Sequence, residues 1–418
     1  MYRELSRKPS RELLVRFAHR ALELANSERA VRRALEAWPE APRPPFVLAL
    51  GKASVAMAKG AHARFPDAEG LVVSPETDAA RAWARASPWP ILYGDHPVPT
   101  ERSLAAGREV LRLAEALAVG QPVLCLLSGG ASSLVECLVP ATSLGDLRMR
   151  TAELLGSGLP IEAVNEERAK LSRIKGGGLR AILGDREVRT LVVSDVPSDD
   201  LATIGGGPMY STRWPSPHEI LLSGRLVAEA LAAEVRADGL SALVQGPMRG
   251  LAHEVGARLA ADPLPSSCTI AYGETTVALE GRPVGNGGRN QHLALAFASA
   301  LPIASERALL AFGTDGIDGV STNAGAYVDA DTVQRAQAKG LSAREYLARF
   351  DSATFFDRAG DAFTTGPTGT NVSDLVLVLG RQRQHAAITF DPGRDELRHV
   401  GAMLDEGKRR RAVIEIPA

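Results

Sequence analysis

Short apolar runs that end in glycine- or serine-bearing turns are the feature that most constrains the fold of this chain. Five such runs occur in the first half, at residues 46–50, 71–74, 91–93, 123–127 and 190–193. They are apolar along their length rather than alternating, which is typical of strands covered by helices on both faces. Helix-like segments separate them, and Thr100-Glu101 opens an amphipathic one. Strands that alternate with helices predict a doubly wound, mainly parallel, Rossmann-like α/β sheet.

A second set of strand-like runs predicts a second, smaller α/β domain. Residues 268–272 and 275–279 flank Gly273-Glu274 and are expected to pair as a hairpin, and a helix is expected from about residue 289 to 301. Further strands are predicted at 309–312, 374–379 and 413–416. Because 418 residues exceed the usual size of one domain, we place a boundary in the region 236–245 and predict domains 1–240 and 241–418.

Composition excludes several classes of function. The 48 basic residues balance 49 acidic ones, which argues against a nucleic-acid partner and against a polybasic membrane surface. The charged N-terminus has no apolar core of a signal peptide, and no apolar run is long enough to span a membrane. The three cysteines, Cys125, Cys137 and Cys268, include no CxxC pair. A reducing, cytoplasmic location without disulfides is therefore expected.

The strongest local signal is the SGGASS turn that follows the run at 123–127. Its residues are Ser128, Gly129, Gly130, Ala131, Ser132 and Ser133. Glycines let a backbone approach an anion closely, and a following helix N-terminus adds N–H donors and partial positive charge. The alternative is an ordinary strand-to-helix turn with serine as the N-cap. Because a predicted strand leads directly into this turn, we favour an anion site over an ordinary turn.

Two lysines are candidates for binding phosphate. Lysine is rare here, 7 of the 48 basic residues, and Lys52 and Lys175 each lie in a glycine-bearing loop. Lys52 directly follows a strand, where open α/β sheets bind ligands. The plainer interpretation of Lys52 is a solvated lysine at a helix start, which the helix dipole disfavours. For Lys175, which precedes three glycines, a basic helix end with a glycine cap is an equally good interpretation.

Acidic and amide side chains also follow strand-like runs. Asp195 comes directly after the run at 190–193 and is the better candidate for holding Mg²⁺ or for accepting a substrate proton. The neighbouring Asp199 and Asp200 are equally explained as helix caps. In the second half, similar glycine-bearing loops carry Glu274, Arg289, Asn290, Asp315, Asp318 and Asn371. Each loop has a credible interpretation as a simple turn, but together they predict a ligand cleft between two α/β domains.

Two common nucleotide-binding motifs are absent. A Walker A loop ending at Gly51-Lys52 would need glycine at position 46, which is Phe46. No G-x-G-x-x-G stands between a predicted strand and a helix, so the dinucleotide-binding fingerprint is missing as well.

The ordered motifs resemble those of the class II glycerate 2-kinase family, whose C-terminal part is called the MOFRL domain. Between about residues 48 and 377 the chain carries, in the order of the family, LGKAS, GDHPVPTERS, LLSGGASSL, LSRIKGG, VVSDVPSDDLATIGGGP, GETTV, GGRNQ, GTDGIDG and TGTNVSDL. The resemblance implies an enzyme with its active site in an interdomain cleft. It also implies transfer of the γ-phosphate of ATP to the 2-hydroxyl of D-glycerate with Mg²⁺ or another divalent cation.

The residues matching these motifs then have expected roles. Lys52 and Lys175 would stabilise phosphate or carboxylate charge, Asp195 would bind Mg²⁺ or orient the hydroxyl, and Arg289 would reach the cleft from the second domain. The 128–133 turn would hold an anion, with either nucleotide or glycerate as its ligand. Glu274, Asn290, Asp315 and Asn371 are the other candidate binding residues.

Three positions depart from the family pattern. Lys170 replaces a usual histidine, residues 205–209 read GGGPM where GSGPT is common, and His292 replaces a usual glutamate. These changes bear on substrate preference more than on reaction class. The alternatives are an NAD(P)H-dependent hydroxypyruvate reductase, a label attached to some members of the family, and a non-catalytic binding protein for small organic acids. Either a monomer or a homodimer is compatible with the sequence.

Overall fold

A six-stranded parallel sheet forms the first half of the protein. The computed structural model describes residues 11–38, 43–156, 161–263, 266–279, 284–302 and 304–380. The strands of this sheet are β1 Phe46–Leu50, β2 Gly70–Ser74, β3 Ile91–Tyr93, β4 Val123–Ser128, β5 Val188–Val193 and β6 His218–Leu222. Their order is β3-β2-β1-β4-β5-β6, and every neighbouring pair is parallel. This is the doubly wound order, and it confirms the predicted class.

Helices cover both faces of this sheet. They are α1 Arg11–Leu24, α2 Ser27–Glu36, α3 Ser54–Arg64, α4 Asp78–Ala86, α5 Glu101–Ala116, α6 Ala131–Leu134, α7 Leu144–Gly156, α8 Ile161–Ala169, α9 Gly178–Leu183 and α10 Gly224–Ala237. Along β1, Val47 and Ala49 belong to one apolar core, while Leu48 and Leu50 belong to another on the opposite face. The strand is apolar throughout because neither face meets water.

A mixed six-stranded sheet forms the second half. Its strands are β7 Ala242–Met248, β8 Cys268–Gly273, β9 Arg307–Gly313, β10 Gly325–Asp329, β11 Ala362–Phe363 and β12 Asp374–Gly380, in the order β11-β10-β9-β12-β8-β7. Only β7 and β8 pair in parallel among these described strands. The helices are α11 Ala252–Ala261, α12 Arg289–Ala300, α13 Thr332–Gln337, α14 Ala343–Ala348 and α15 Ser352–Ala359.

The predicted hairpin of residues 268–272 with 275–279 is wrong. β8 pairs with β7 on one side and with β12 on the other, so neither of its edges remains for the chain that follows it. Within 275–279, Thr276 forms an isolated bridge with Leu251 instead. The strand predicted at 413–416 lies outside the described residues.

Helices from the N-terminal half also reach the second sheet. α10 packs against β7, β8 and β12, and α1 packs against α10 and β9. One apolar core therefore contains residues of both sheets, Val47 and Leu377 among them. The boundary at 240/241 stays a prediction, and α10 lies before it while covering the second sheet.

The described residues include all three cysteines and the helices that could be compared with a membrane span. Cys125, Cys137 and Cys268 are buried free thiols. No described helix combines the length and the apolar character that crossing a membrane would require.

Candidate active site

The turns after β1 and β4 lie side by side where the strand order reverses. Gly51 has φ +119°, and a Cβ there would lie 2.3 Å from the Ser128 hydroxyl, so only glycine fits this approach. The buried Ser128 hydroxyl accepts a hydrogen bond from the Ala53 N–H at 3.0 Å and donates to the Leu50 carbonyl at 3.3 Å. Ser128 thus ties the ends of the two strands together and does not face a ligand.

The rest of the SGGASS turn separates into structural and accessible parts. Ser133 is buried and its hydroxyl donates to the Pro97 carbonyl at 2.8 Å. Ala131 is buried and begins α6, a single turn, while Ser132 is only half-buried. A Cβ on Gly130 would lie 3.0 Å from Lys52 Cγ and 3.2 Å from His96 Cδ2. The turn therefore lies between strand ends and a helix start, as predicted, with Gly130 beside Lys52.

Asp195 lies next to this turn at the end of β5. A Cβ on Gly129 would lie 1.8 Å from Asp195 Oδ2, so the carboxylate fills the space that glycine leaves. Asn371 donates from Nδ2 to Asp195 Oδ2 at 3.1 Å. Burial raises the pKa of the Asp195 carboxyl, and the positive charge of Lys52 opposes that rise. The nearby Asp200 instead accepts from the Ala202 N–H and the Thr203 hydroxyl, as a turn-capping residue does.

A second contact also joins the two halves. Lys52 Nζ lies 3.4 Å from Asp315 Oδ2, with about a quarter of each side chain exposed (26% and 28%). Lys52 belongs to the turn after β1, and Asp315 to the turn after β9. Two loops of the first half thus contact two loops of the second half, through the pairs Lys52–Asp315 and Asp195–Asn371. All four residues were predicted as site residues from the sequence.

The strand register of the second sheet brings several polar residues together at one end of its strands. Asp374, which begins β12, stands opposite Gly273 at the end of β8 and opposite Gly313 at the end of β9. The loops that carry Glu274, Asp315 and Asn371 therefore all leave the sheet at the same side. This side is the one that contacts Lys52 and Asp195.

Arg289, the first residue of α12, is held by two carboxylates of its own half. Its guanidinium bonds both oxygens of Asp374 and donates to Glu274 Oε1 at 2.6 Å. Asp374 is nearly fully buried, with 3% of its side chain exposed. Burial alone would lower the pKa of Arg289, but the two carboxylates outweigh it and hold the pKa above its ordinary value. Arg289 is also close enough to Asp195 to lower the pKa of that carboxyl.

Asn290 and Asp318 secure the start of α12. Asp318 accepts hydrogen bonds from the backbone N–H groups of Asn290 and Gln291 at 3.0 and 2.8 Å, and from Asn290 Nδ2 at 3.2 Å. Both side chains are buried. A carboxylate at a helix N-terminus satisfies free N–H groups and the helix dipole. Here these two residues position Arg289, and their hydrogen bonds within the described part of the chain stay in the second half.

Lys175 lies deeper than expected. Its side chain is 3% exposed and forms an ion pair with the fully buried carboxylate of Glu136. Glu136 also accepts from the Ser172 hydroxyl at 2.5 Å and from the Cys137 N–H at 3.0 Å. The structure therefore does not bring Lys175 into the group of Lys52, Asp195 and Asp315. Its role on phosphate stays a prediction.

Several residues of this region were missed by reasoning from single motifs. They are His96, Glu136, Arg168 and Asp374. His96 packs near Lys52, and burial together with that lysine lowers its pKa to about 4, so the ring is neutral at pH 7. The GDHPVP motif was the available signal for His96. Asp374 was predicted only as the first residue of an apolar strand, and Glu136 lies in none of the motifs.

The carboxylates present fit a single magnesium ion that is also bound by phosphate oxygens. Mg²⁺ in such sites commonly takes one or two protein carboxylates together with phosphates and water. The negative charge of Asp315 is close enough to Asp195 to help raise the pKa of that carboxyl. Among the described residues no group of three or more His, Cys, Asp or Glu forms a complete protein cage. Asp195 and Asp315 could therefore hold a magnesium ion only together with ligands from outside the protein.

Comparisons with known proteins agree with this architecture. The family model described as Domain of unknown function (DUF4147) matches residues 13–238, and that of the MOFRL family matches 267–374. A protein of Agrobacterium vitis named, provisionally, hydroxypyruvate reductase is 35% identical over 88% of this chain and 94% of its own length. The D-glycerate 2-kinase of Thermotoga maritima is 31% identical over 88% of this chain and 98% of its own. The crystal structure of a glycerate kinase from that organism superimposes with a TM-score of 0.77, at 29% identity, covering 88% of this chain and 99% of that one.

Proposed function

We infer from its membership that this chain, which belongs to the glycerate kinase family built from a DUF4147 and a MOFRL domain, is a glycerate 2-kinase. We propose that it transfers the γ-phosphate of ATP to the 2-hydroxyl of D-glycerate and releases ADP and 2-phospho-D-glycerate. We also propose a Mg²⁺ requirement, a cytoplasmic location and domains 1–240 and 241–418.

One observation carries the proposal: the two halves meet through charged and polar residues at the switch point of the first sheet. Lys52 is paired with Asp315 at 3.4 Å, and Asp195 is bonded by Asn371 at 3.1 Å. Ligands of open α/β sheets bind at this place. Phosphoryl transfer needs in-line positioning and neutralisation of spreading negative charge, with little covalent help. Lys52 supplies one positive charge for this neutralisation, and the two carboxylates would hold the Mg²⁺ that supplies the rest.

Each residue then has a role in the transfer. Lys52, which is a quarter exposed, is placed to leave Asp315 and to neutralise the transferring phosphoryl group. Asp195 has one of two roles. It accepts a hydrogen bond from the 2-hydroxyl of glycerate and takes its proton, which the raised pKa of this half-buried carboxyl favours, or it binds Mg²⁺. A bound Mg²⁺ would be held by Asp195 and Asp315 and would neutralise phosphate charge.

The reductase alternative has support from the names of two relatives and is opposed by the turn after β1. In a sheet of this order, a dinucleotide would place its pyrophosphate on that turn, and the second glycine of the fingerprint permits its close approach. Here Ala53 stands at that second position, and Lys52 precedes it. The kinase interpretation uses the lysine, whereas the reductase interpretation leaves it without a role.

The experiment that separates the two activities uses the full chain and both substrate pairs. ATP with Mg²⁺ and D-glycerate should give ADP, and phosphorus NMR of the product should show a 2-phospho monoester. NADH and NADPH with hydroxypyruvate should show no oxidation above background. A 3-phospho product would overturn the assigned position. Reduction of hydroxypyruvate without any phosphorylation of glycerate would overturn the kinase proposal.

A further inference from the structure

A group of charged residues, most of them buried, lies next to the SGGASS turn. It consists of Lys175, Glu136, Ser172 and Arg168, and Arg168 reaches it from the end of α8. The NH2 group of Arg168 lies 3.5 Å from the Ser132 hydroxyl, the accessible serine of the turn. A Cβ on Gly206 would lie 3.1 Å from Lys175 Cγ and 3.3 Å from Ser132 Cβ, so a glycine loop closes over both residues.

The charges of this group do not balance. The single carboxylate of Glu136 is already shared by Lys175, Ser172 and the Cys137 N–H. Two cations against one anion leave one net positive charge. Arg168 is half-buried with its Nε shielded from solvent, and a charge that loses water contacts is costly unless it is paired. The unliganded cluster therefore lacks one negative charge.

In the part of the chain that the structure describes, no carboxylate lies within ion-pair distance of Arg168. Its Nε is buried and has no hydrogen-bond partner among the described residues, and its long contact with Ser132 is at the limit of a hydrogen bond. Burial lowers the pKa of Arg168, and Glu136 opposes this, but an arginine keeps its proton at any physiological pH. A permanently charged planar group with free donors is poised for an oxygen anion.

We propose that Arg168, with Ser132 beside it, binds the carboxylate of the hydroxy-acid substrate and so selects an acid over an uncharged polyol. This inference rests on the proposed kinase function and assigns one end of its acceptor. The guanidinium fork matches a carboxylate with two parallel hydrogen bonds. The single negative charge of a carboxylate also equals the one that the cluster lacks, whereas a triphosphate carries several.

The place of Arg168 and Ser132 also fits the expected position of the hydroxyl end of the same substrate. Ser132 is two residues after Gly130, the residue that packs against Lys52 Cγ and His96. An acid held at Arg168 and Ser132 would thus lie beside the turn whose Gly130 packs against Lys52, the lysine assigned to the transferring phosphate. The departure GGGPM leaves Gly206 without a side chain directly over this place.

The test measures ligand binding separately from catalysis. D-Glycerate and a non-hydrolysable ATP analogue are each titrated by calorimetry into the wild-type protein, Arg168→Ala and Arg168→Lys. Arg168→Ala should weaken D-glycerate binding by about 30-fold, the scale of one charge-assisted hydrogen-bonded contact. Arg168→Lys should recover only part of it. The Kd of the ATP analogue should stay within about threefold.

Stability distinguishes a ligand-binding arginine from a structural one. Removal of Arg168 leaves the Lys175–Glu136 pair neutral, so the unliganded Arg168→Ala protein should melt at the same temperature as wild type or higher. Arg150→Ala is the matched control, because Arg150 lies on the neighbouring α7, is 48% exposed and pairs with Glu153 and Glu167. It should leave both binding constants unchanged.

Any other result would contradict either the role proposed for Arg168 or the kinase function on which that role rests. Weaker binding of the ATP analogue with unchanged D-glycerate binding would assign Arg168 to phosphate and overturn the proposal. A lower melting temperature with unchanged D-glycerate binding would make Arg168 structural. If the wild-type protein binds D-glycerate without phosphorylating it, the kinase function fails while the Arg168 comparison still stands.

Discussion

At the scale of single residues, the two lysines singled out by sequence differ in their surroundings. Lys52 is a quarter exposed and meets one carboxylate at 3.4 Å across the cleft. Lys175 is almost completely buried and paired with a fully buried carboxylate. An exposed pair contributes little to stability, whereas breaking a buried one is costly. Substitutions at the two positions should therefore have opposite signatures.

Replacing Lys52 should affect catalysis and leave folding intact. We expect Lys52→Ala to lower kcat/KM by about 100-fold or more, the scale for losing one preorganised charge stabiliser. Lys52→Arg should also be poor, because a planar fork does not replace a point charge. Steady-state kinetics and a melting curve test this. Lys339→Ala is the control, because the Lys339 ammonium donates only to the Ala359 carbonyl among the described residues. Unchanged kinetics in Lys52→Ala would remove this lysine from the mechanism.

Replacing Lys175 should affect stability first. Lys175→Met leaves the carboxylate of Glu136 buried without its cation, which we expect to lower the free energy of unfolding by about 3 kcal/mol. The double variant Lys175→Met with Glu136→Gln should recover much of that loss, because the uncompensated charge is gone. Urea unfolding of both variants measures the difference. A Lys175→Met protein that is as stable as wild type but inactive would favour the original assignment of Lys175 to phosphate.

His292, which stands where the family usually has glutamate, should make the stability depend on pH. It is buried, stacks on Phe350 and has no partner for Nδ1 among the described residues. Burial, and then His253, lowers its pKa to about 4. Between about pH 6.5 and that value the unfolded chain binds a proton and the folded chain does not, so stability is lost as pH falls.

The comparison with a non-titrating aromatic isolates this contribution. From pH 7 to pH 5 the free energy of unfolding of wild type should fall by about 2 kcal/mol more than that of His292→Phe. Both proteins carry the same other titrating groups, His96 included, so their common pH dependence cancels. Denaturant unfolding at each pH provides the values. Parallel curves for the two proteins would show that His292 takes up its proton normally in the folded state.

At the scale of secondary-structure elements, the turn after β4 positions Asp195 by leaving out a side chain. The place of a Cβ on Gly129 is occupied by the Asp195 carboxylate, at 1.8 Å from Oδ2. The carboxylate is then close enough to be bonded by Asn371. Gly129 is therefore needed for the position of Asp195, the acidic residue after the neighbouring strand β5.

Gly129→Ala should accordingly displace Asp195 and reduce turnover by about 100-fold, the scale of a misplaced catalytic group. The matched control is Gly145→Ala in α7, where a Cβ would meet nothing closer than the Ser143 hydroxyl at 3.4 Å. That control should be neutral or stabilising by up to about 1 kcal/mol, because alanine favours a helix. Kinetics and melting curves of the two variants are compared directly. Full activity in Gly129→Ala would show that Asp195 can move without consequence.

At the scale of the whole molecule, two sheets of different construction present polar loops to one another. The first sheet supplies its loops at the carboxyl ends of parallel strands, and the second supplies them where β8 and β9 end and β12 begins. Lys52–Asp315 and Asp195–Asn371 connect the two sides. A site assembled in this way depends on both halves being in place.

Arg289 tests whether the second half contributes chemistry or only support. Arg289→Ala removes the cation from the buried Asp374, so both turnover and stability should fall, the latter by about 3 kcal/mol. Adding Asp374→Asn should restore most of the stability, because no unpaired buried charge remains. We expect the double variant to stay at least about 100-fold below wild type in kcat, the scale for losing one group that stabilises transition-state charge.

Asp374→Asn alone is the control for this experiment, measured by the same kinetics and melting curves. It should keep more activity than either protein that lacks Arg289. Recovery of turnover together with stability in the double variant would show that Arg289 is structural. The second half would then lack its predicted cation.

By itself the sequence determined the parallel sheet of the first half and the places of its turns. Strands covered on both faces must be apolar along their length, and this made β1, β2 and β4 recognisable to within one residue at their ends. It also marked Lys52, Asp195 and Asp315 through their positions after strands. Tertiary structure decided what sequence spacing cannot express: that the edges of β8 are taken by β7 and β12, and that Lys175 is paired with a buried glutamate. Pairing partners distant in sequence compete for the same strand edge or the same cation, and only the assembled fold selects one of them.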